Sequence, residues 1–211
     1  MSMSVTRRNR RGVAAAAVLA VLAMLALVPA RSSPAFDPEV TFAKGTTIFG
    51  LQVGGGAANN VERQRTVSDI SFITVTPRAS HLFFAPFGRG LVRGALEPGL
   101  EGWFQYYRSP CSATAEGLKL AARYHVIGLG RLIPYLEATA GAGGTSLRVP
   151  EIDSTFTFVL EAGAGLSYFV TDAVALNAGY RFQHISNGHT SDPNRGFNSD
   201  SGVVGVSFYF K

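Results

Sequence analysis

After residue 36, hydrophobic side chains recur at every second position, in segments of about ten residues separated by turn-like sequence. In the last such segment Val204, Val206, Phe208 and Phe210 share one face, with Gly205, Ser207 and Tyr209 on the other. Phe156, Phe158, Leu160, Ala162, Ala164, Leu166 and Tyr168 alternate in the same way with Thr157, Glu161, Gly163, Gly165 and Ser167. Leu118, Leu120, Ala122, Tyr124 and Val126 oppose Lys119, Arg123 and His125. Nothing after residue 36 has a sustained helical period. The pattern predicts eight strands, at 45–56, 67–84, 92–107, 116–128, 131–142, 155–169, 173–186 and 199–210. Pro77 interrupts the second and predicts a bulge or an edge-like defect there.

The fold class this implies is all-β, an eight-stranded antiparallel transmembrane β-barrel. A soluble ligand-binding barrel also alternates over eight strands, but it turns its charged face to water. Here the apolar face is continuous and carries aromatics near strand ends, as a lipid-facing band with girdles does. The chain closes on Ser207-Phe-Tyr-Phe-Lys211, an aromatic end of the kind outer-membrane barrels carry. The opposite face holds Glu101, Glu137, Glu161, Lys119, Arg123, Asn177, Arg181 and Gln183. Eight strands enclose only enough space for side chains, so these charges are expected to pair inside the barrel rather than line a pore. Connections at 129–130 and 170–172 are short, whereas 57–66, 108–115, 143–154 and 187–198 are long. Short turns belong on the periplasmic side and long loops outside. The connection around Pro86–Arg89 fits that division less neatly.

Charge changes the picture only at the start of the chain. Arg7, Arg8, Arg10 and Arg11 precede an apolar run from Val13 to Val28, with small-residue cleavage sites ending at Ala30 or Ala35. Residues 1–35 therefore read as an export signal, the run being shorter than the roughly 20 residues of a spanning helix. The leader holds five of the 19 basic residues and none of the 14 acids, so 36–211 is balanced at 14 of each. The formal net charge of +5 thus belongs to the leader, and a nucleic-acid-binding reading loses its support. The one cysteine, Cys111, excludes an intramolecular disulfide. His81, His125 and His189 show no metal-ligand spacing, and Gly54-Gly55-Gly56 precedes no helix that would make it a phosphate loop.

Candidate chemistry lies in Tyr180-Arg-Phe-Gln-His-Ile-Ser-Asn-Gly188 and Pro193-Asn-Arg-Gly-Phe-Asn198. His184 and Ser186 continue the outward row of Val174, Leu176, Ala178, Tyr180 and Phe182, and Asn198 has the parity of Val204 and Phe208. All three are expected to project toward lipid at the outer rim, where a polar cluster is costly without a purpose. A serine attacks an ester only with a base to take its proton, and His184 shares its strand face. The developing oxyanion needs donors. Asn187 and the backbone N–H groups around Gly188 are the nearest.

These segments resemble the His-x-Ser-Asn and Pro-Asn-x-Gly signatures of the outer-membrane lipid A 3-O-deacylases, an acyloxyacyl-hydrolase-like family. The resemblance implies a carboxylic ester hydrolase that removes a 3-O-linked acyl chain from lipid A of lipopolysaccharide in the outer leaflet, without metal or cofactor. It implies Ser186 as nucleophile, His184 as base and the Asn187-Gly188 region for the oxyanion. It also implies a Glu two residues after the motif glycine, where this chain has Asn198. An amide oxygen can still orient the histidine but cannot offset imidazolium charge. Asp200, one strand repeat further in, and Asp192, in the loop, are the alternative acids. Two other readings remain: a small barrel with a structural or surface-interaction role and weakened or no turnover, and a hydrolase of phospholipid or another acyl ester.

Overall fold

A computed structural model describes residues 36–59, 68–193 and 195–211; the expected export signal at 1–35 lies outside them. Eight long strands close into one antiparallel barrel: β1 (Thr47–Asn59), β2 (Ser71–His81), β3 (Gly94–Ser109), β4 (Ala113–Val126), β5 (Leu132–Thr145), β8 (Phe156–Phe169), β9 (Val174–Ser186) and β10 (Phe197–Phe210). Two short strands, β6 (Arg148–Val149) and β7 (Ile152–Asp153), make a separate hairpin in the loop after β5. Each long strand pairs with its sequence neighbour among the eight, and β1 closes on β10 from Thr47↔Phe210 to Asn59↔Asn198. Closure leaves no unpaired edge.

Alternation sorts the side chains as the sequence predicts. Leu118 and Leu120 are 66% and 70% exposed on the outer face of β4, while Lys119 between them is fully buried. Phe49, Phe104, Leu136, Phe158, Leu160 and Phe210 extend this apolar exterior around the barrel. So much contiguous apolar surface is unfavourable in water and suits a lipid environment.

The interior is filled in three layers. At the short-turn end Ile48, Leu82, Ala95, Ile133, Phe169 and Tyr209 pack around Phe42, which a four-residue helix, α1 (Pro38–Thr41), delivers into the barrel mouth. Asp37 caps α1 by accepting from Glu39 N at 2.9 Å, and the Thr41 hydroxyl donates to Asp172 O. At the long-loop end Phe72, Trp103, Tyr107, Val159, Ile185 and Phe197 form a second apolar layer beneath Leu147, Val149 and Ile152 of the β6–β7 hairpin. Between them lies the expected ion network, joined by Arg78, Glu97, Gln52 and His125. Arg181 donates to Glu137 at 2.7 Å, to Glu101 at 2.8 Å and to Gln52 at 2.7 Å. Lys119 bridges Glu101 and Glu161 at 2.6 and 2.7 Å, and Arg123 meets Glu137 at 2.8 Å. His125 pairs with Glu97 at 2.6 Å. Buried charges of this kind persist only when each is paired.

Two expectations are refined. Pro77 makes no bulge: it pairs with Leu51 of β1, and Val75↔Phe104 and Arg78↔Glu101 keep one register on either side of it. The ladder to β3 is interrupted at Thr76 and Pro77, which is the edge-like defect, and the Pro77 ring packs over Gly102, where a Cβ would come within 2.9 Å of Pro77 Cγ. The register shift in β2–β3 falls instead at Ser71/Phe72. At the long-loop end the ladder runs further than predicted, to Asn59 in β1 and from Phe197 in β10, so Asn198 is a strand residue, not a loop residue.

Candidate active site

β9 carries the sequence's candidate pair at its long-loop end. Arg181, Gln183 and Ile185 point inward and are buried, while Phe182, His184 and Ser186 face outward at intermediate exposure. The inward row anchors this strand. Gln183 donates to Glu161 at 2.9 Å and accepts from the Ser199 hydroxyl of β10 at 3.3 Å. The outward row is therefore presented from a backbone fixed on its other side, as a preorganised site requires.

His184 lies opposite Leu160 on β8 and Asn198 on β10. Its Nδ1 is 2.8 Å from Asn198 Oδ1. An amide oxygen only accepts, so the bond fixes the proton on Nδ1 and leaves a lone pair on Nε2. Ser186 lies opposite Phe158. Among the described residues its hydroxyl makes no hydrogen bond, to His184 or to any other group. Such contacts often tighten only when substrate binds.

The loop from Asn187 to Gly196 is built around Asn187, whose side chain is buried. Asn187 Nδ2 donates to Ser191 O at 2.8 Å, Ser191 Oγ at 3.1 Å and Pro193 O at 3.3 Å, and its Oδ1 accepts from His189 N at 3.0 Å. The Asn187 amide is thus bonded within the loop and turned inward in this structure. Gly188 has φ +62°, and a Cβ there would come within 2.9 Å of the Phe158 ring. Its backbone N–H has no hydrogen bond among the described residues.

Gly196 explains the glycine of the second motif. It has φ +64°, and a Cβ would meet Ile185 O at 2.8 Å and His184 Cε1 at 3.1 Å. Only glycine lets this backbone lie against the imidazole edge. The N–H groups of Arg195 and Gly196 both donate to Glu151 O at 3.0 Å. The buried Glu151 carboxylate takes the Ser68 N–H at 2.8 Å and the Ser68 hydroxyl at 2.9 Å, with Arg195 Nη2 at 3.6 Å. Glu151 thus ties three long-loop segments together behind His184. The sequence held no signal for it, because its partners are remote in the chain and lie in loops.

Among the described residues neither Asp192 nor Asp200 is hydrogen-bonded to His184. Asp200 accepts from the Tyr180 hydroxyl and from Asn59 Nδ2 at 2.8 Å, and the loop residue Asp192 is exposed. A β-strand sends residues two apart along the same face about 6.8 Å from each other, which sets Asp200 a row below the imidazole. Of the other histidines, His81 meets Thr47 Oγ1 at 3.1 Å and His189 sits in the loop with φ 62°. Among the described residues no three His, Cys, Asp or Glu side chains converge to hold a metal ion, and Cys111 is exposed.

Comparison with known proteins places this geometry in context. Residues 88–207, more than half of the chain, match the family model described as lipid A 3-O-deacylase (PagL). The crystal structure of the outer membrane enzyme PagL superposes with a TM-score of 0.52 at 19% identity, covering 73% of this chain and 97% of that one. Neisserial surface protein A (NspA) superposes with a TM-score of 0.56 at 18% identity, covering 79% of this chain and 100% of that one. No curated protein sequence matches significantly. An enzyme and a surface protein share the barrel, so the architecture alone does not choose between activities.

Proposed function

The chain belongs to the lipid A 3-O-deacylase (PagL) family, and from that premise we propose that it cleaves the 3-O-linked acyl ester of lipid A with Ser186 as nucleophile and His184 as base. The observation that carries the reading is the His184–Asn198 bond, which aims a lone pair outward on the row that also bears Ser186. As Ser186 Oγ attacks the ester carbonyl, its proton passes to His184 Nε2. The tetrahedral oxyanion is met by the backbone N–H of Gly188, with Asn187 holding the turn that presents it. Collapse breaks the bond to the sugar oxygen, which takes the proton from His184. Water, deprotonated by the same imidazole, then releases the fatty acid and restores Ser186.

The long-loop end faces the outer leaflet in this reading, where lipopolysaccharide presents its ester to the barrel wall, and residues 1–35 are the export signal removed on the way. Asn198 gives the alternative its foothold, since a neutral orienting group leaves the imidazolium uncompensated and favours weak turnover or none. Purified protein in detergent, incubated with lipid A, tests the proposal. Release of one fatty acid per lipid A by the intact chain and none by Ser186→Ala is expected. Equal release by the folded Ser186→Ala protein would reject the assignment.

A further inference from the structure

At the short-turn end the pairing of β2 with β3 stops at Ser80↔Gly99. Beyond that pair the chain turns aside: Leu82 N donates to Thr46 O at 2.9 Å, and Leu82 O accepts from Gly45 N at 2.8 Å. It returns to β3 only where Phe87 and Gly94 exchange two backbone hydrogen bonds of 2.9 Å. The wall is split between these two points, and Leu96, paired with Tyr124 on its β4 side, has no strand partner on the other. The result is a groove of about 560 Å³ lined by Phe83, Phe84, Ala85, Phe87, Leu96 and Lys44, of which Lys44 alone is charged.

The groove continues the lipid-facing wall, because the outward row of β2 (Ile73, Val75, Pro77, Ala79) runs on through His81 to Phe83. Its far arm is pinned. Arg93 donates to Gly88 O at 3.3 Å and to Glu39 at 2.7 Å, and the Tyr124 hydroxyl donates to Val92 O. A pinned loop that leaves Phe83, Phe84, Phe87 and Leu91 exposed is unfavourable in water and belongs in a membrane interface. A girdle of rings resting against lipid needs neither a split wall nor a cation. Here Lys44 is exposed and makes no ion pair among the described residues. Acids of this end are engaged elsewhere: Asp37 caps α1, Glu39 meets Arg93, and Asp172 meets Arg131. Room for hydrocarbon thus lies beside an uncompensated positive charge.

We propose that this groove binds one glycerophospholipid of the periplasmic leaflet, with an acyl chain along Phe83, Phe84 and Leu96 and the phosphate accepting a hydrogen bond from Lys44 Nζ. The leaflet follows from placing the long loops outside; the site itself is independent of Ser186 and His184. A lysine stem lies along apolar surface while its ammonium stays at headgroup level. A phosphate oxygen takes from that ammonium a charge-assisted bond, stronger than a neutral one. The acyl chain covers rings that are otherwise exposed and buries no polar group of the groove, so its entry is favourable.

The test is native mass spectrometry of the purified intact barrel in detergent, titrated with phosphatidylglycerol or with diacylglycerol of the same chains. One phosphatidylglycerol is expected to stay bound, about tenfold more tightly than diacylglycerol, the scale of one hydrogen bond to a charged group. Lys44→Ala should erase that preference, and Ala85→Trp, which fills the groove, should weaken both lipids. Leu129→Ala, at the exposed turn between β4 and β5, should change neither. Equal binding of the two lipids by the intact barrel overturns the proposal, as does an unchanged preference in folded Lys44→Ala. A loss in Leu129→Ala as large as in Lys44→Ala also overturns it, because a general lipid coat does not sense one groove. A barrel that doubles in mass and carries no lipid would give the groove to a second copy of the chain and overturn it as well.

Discussion

The two faces of β9 contrast within six residues. Inward, Arg181 and Gln183 spend their polar atoms on Glu101, Glu137, Glu161, Gln52 and Gln105. Outward, His184 is bonded on one nitrogen only, and the Ser186 hydroxyl has no partner among the described residues. Side chains whose polar atoms are engaged, as those of Arg181 and Gln183 are, resist change, and those left open can act. The strand combines the two because alternation keeps them apart while the shared backbone makes the inner face a foundation for the outer.

The largest way to break this contrast is to remove the inner cation. Arg181→Ala leaves three buried carboxylates short of their partner and should cost about 3–5 kcal/mol of stability, read as a shift in the denaturant midpoint of the folded barrel. Ser186→Ala should shift it by no more than about 0.5 kcal/mol. A comparable loss from both would mean that the faces are not separate in function. Restoring a carboxylate beside the histidine sharpens the outer side. Asn198→Glu should raise kcat at least tenfold, in view of the roughly 10⁴-fold cost of the reverse change in a serine protease triad. Flat or lower turnover in a folded variant would show that this position is not the missing acid.

A smaller effect is expected at Gly196, where alanine must adopt φ +64° and push on the imidazole edge. Strain of about 1–3 kcal/mol should appear mainly as lower kcat with little change in KM. The smallest effect lies at the short-turn end, where Arg93 Nη2 donates to the exposed Glu39 at 2.7 Å. The hydrogen bond from Arg93 holds the Glu39 carboxyl below its ordinary value. A lowered folded pKa means that this stabilisation is present above the unfolded value and is lost as pH falls through the folded one. Glu39→Gln should therefore be slightly less stable than the intact chain at neutral pH, with the gap closing in acid.

Much of this was legible from alternation because a barrel wall obeys one rule everywhere. The side on which Lys119, Arg123, Arg181, His184, Ser186 and Asn198 lie follows from counting by two. What counting cannot supply is register between strands and the course of loops. Asn198 meets His184 only because β10 extends back to Phe197, and Asp200 turns to Tyr180 and Asn59 through pairings between strands. Asn187 is inward by parity, but counting does not show that its amide holds the loop. Glu151 was invisible, since its role arises from segments that meet only after the barrel closes. Pro77 interrupts the ladder to β3 but shifts no register, because its ring is accommodated over Gly102.

The most direct test of the central claim is mass spectrometry of lipid A from cells producing the intact chain or Ser186→Ala at equal levels in the outer membrane. Lipid A lacking one 3-O-linked acyl chain is expected only when Ser186 is present. Fully acylated lipid A in both, with the intact barrel folded, would contradict it and leave a barrel that keeps the family's architecture without its reaction.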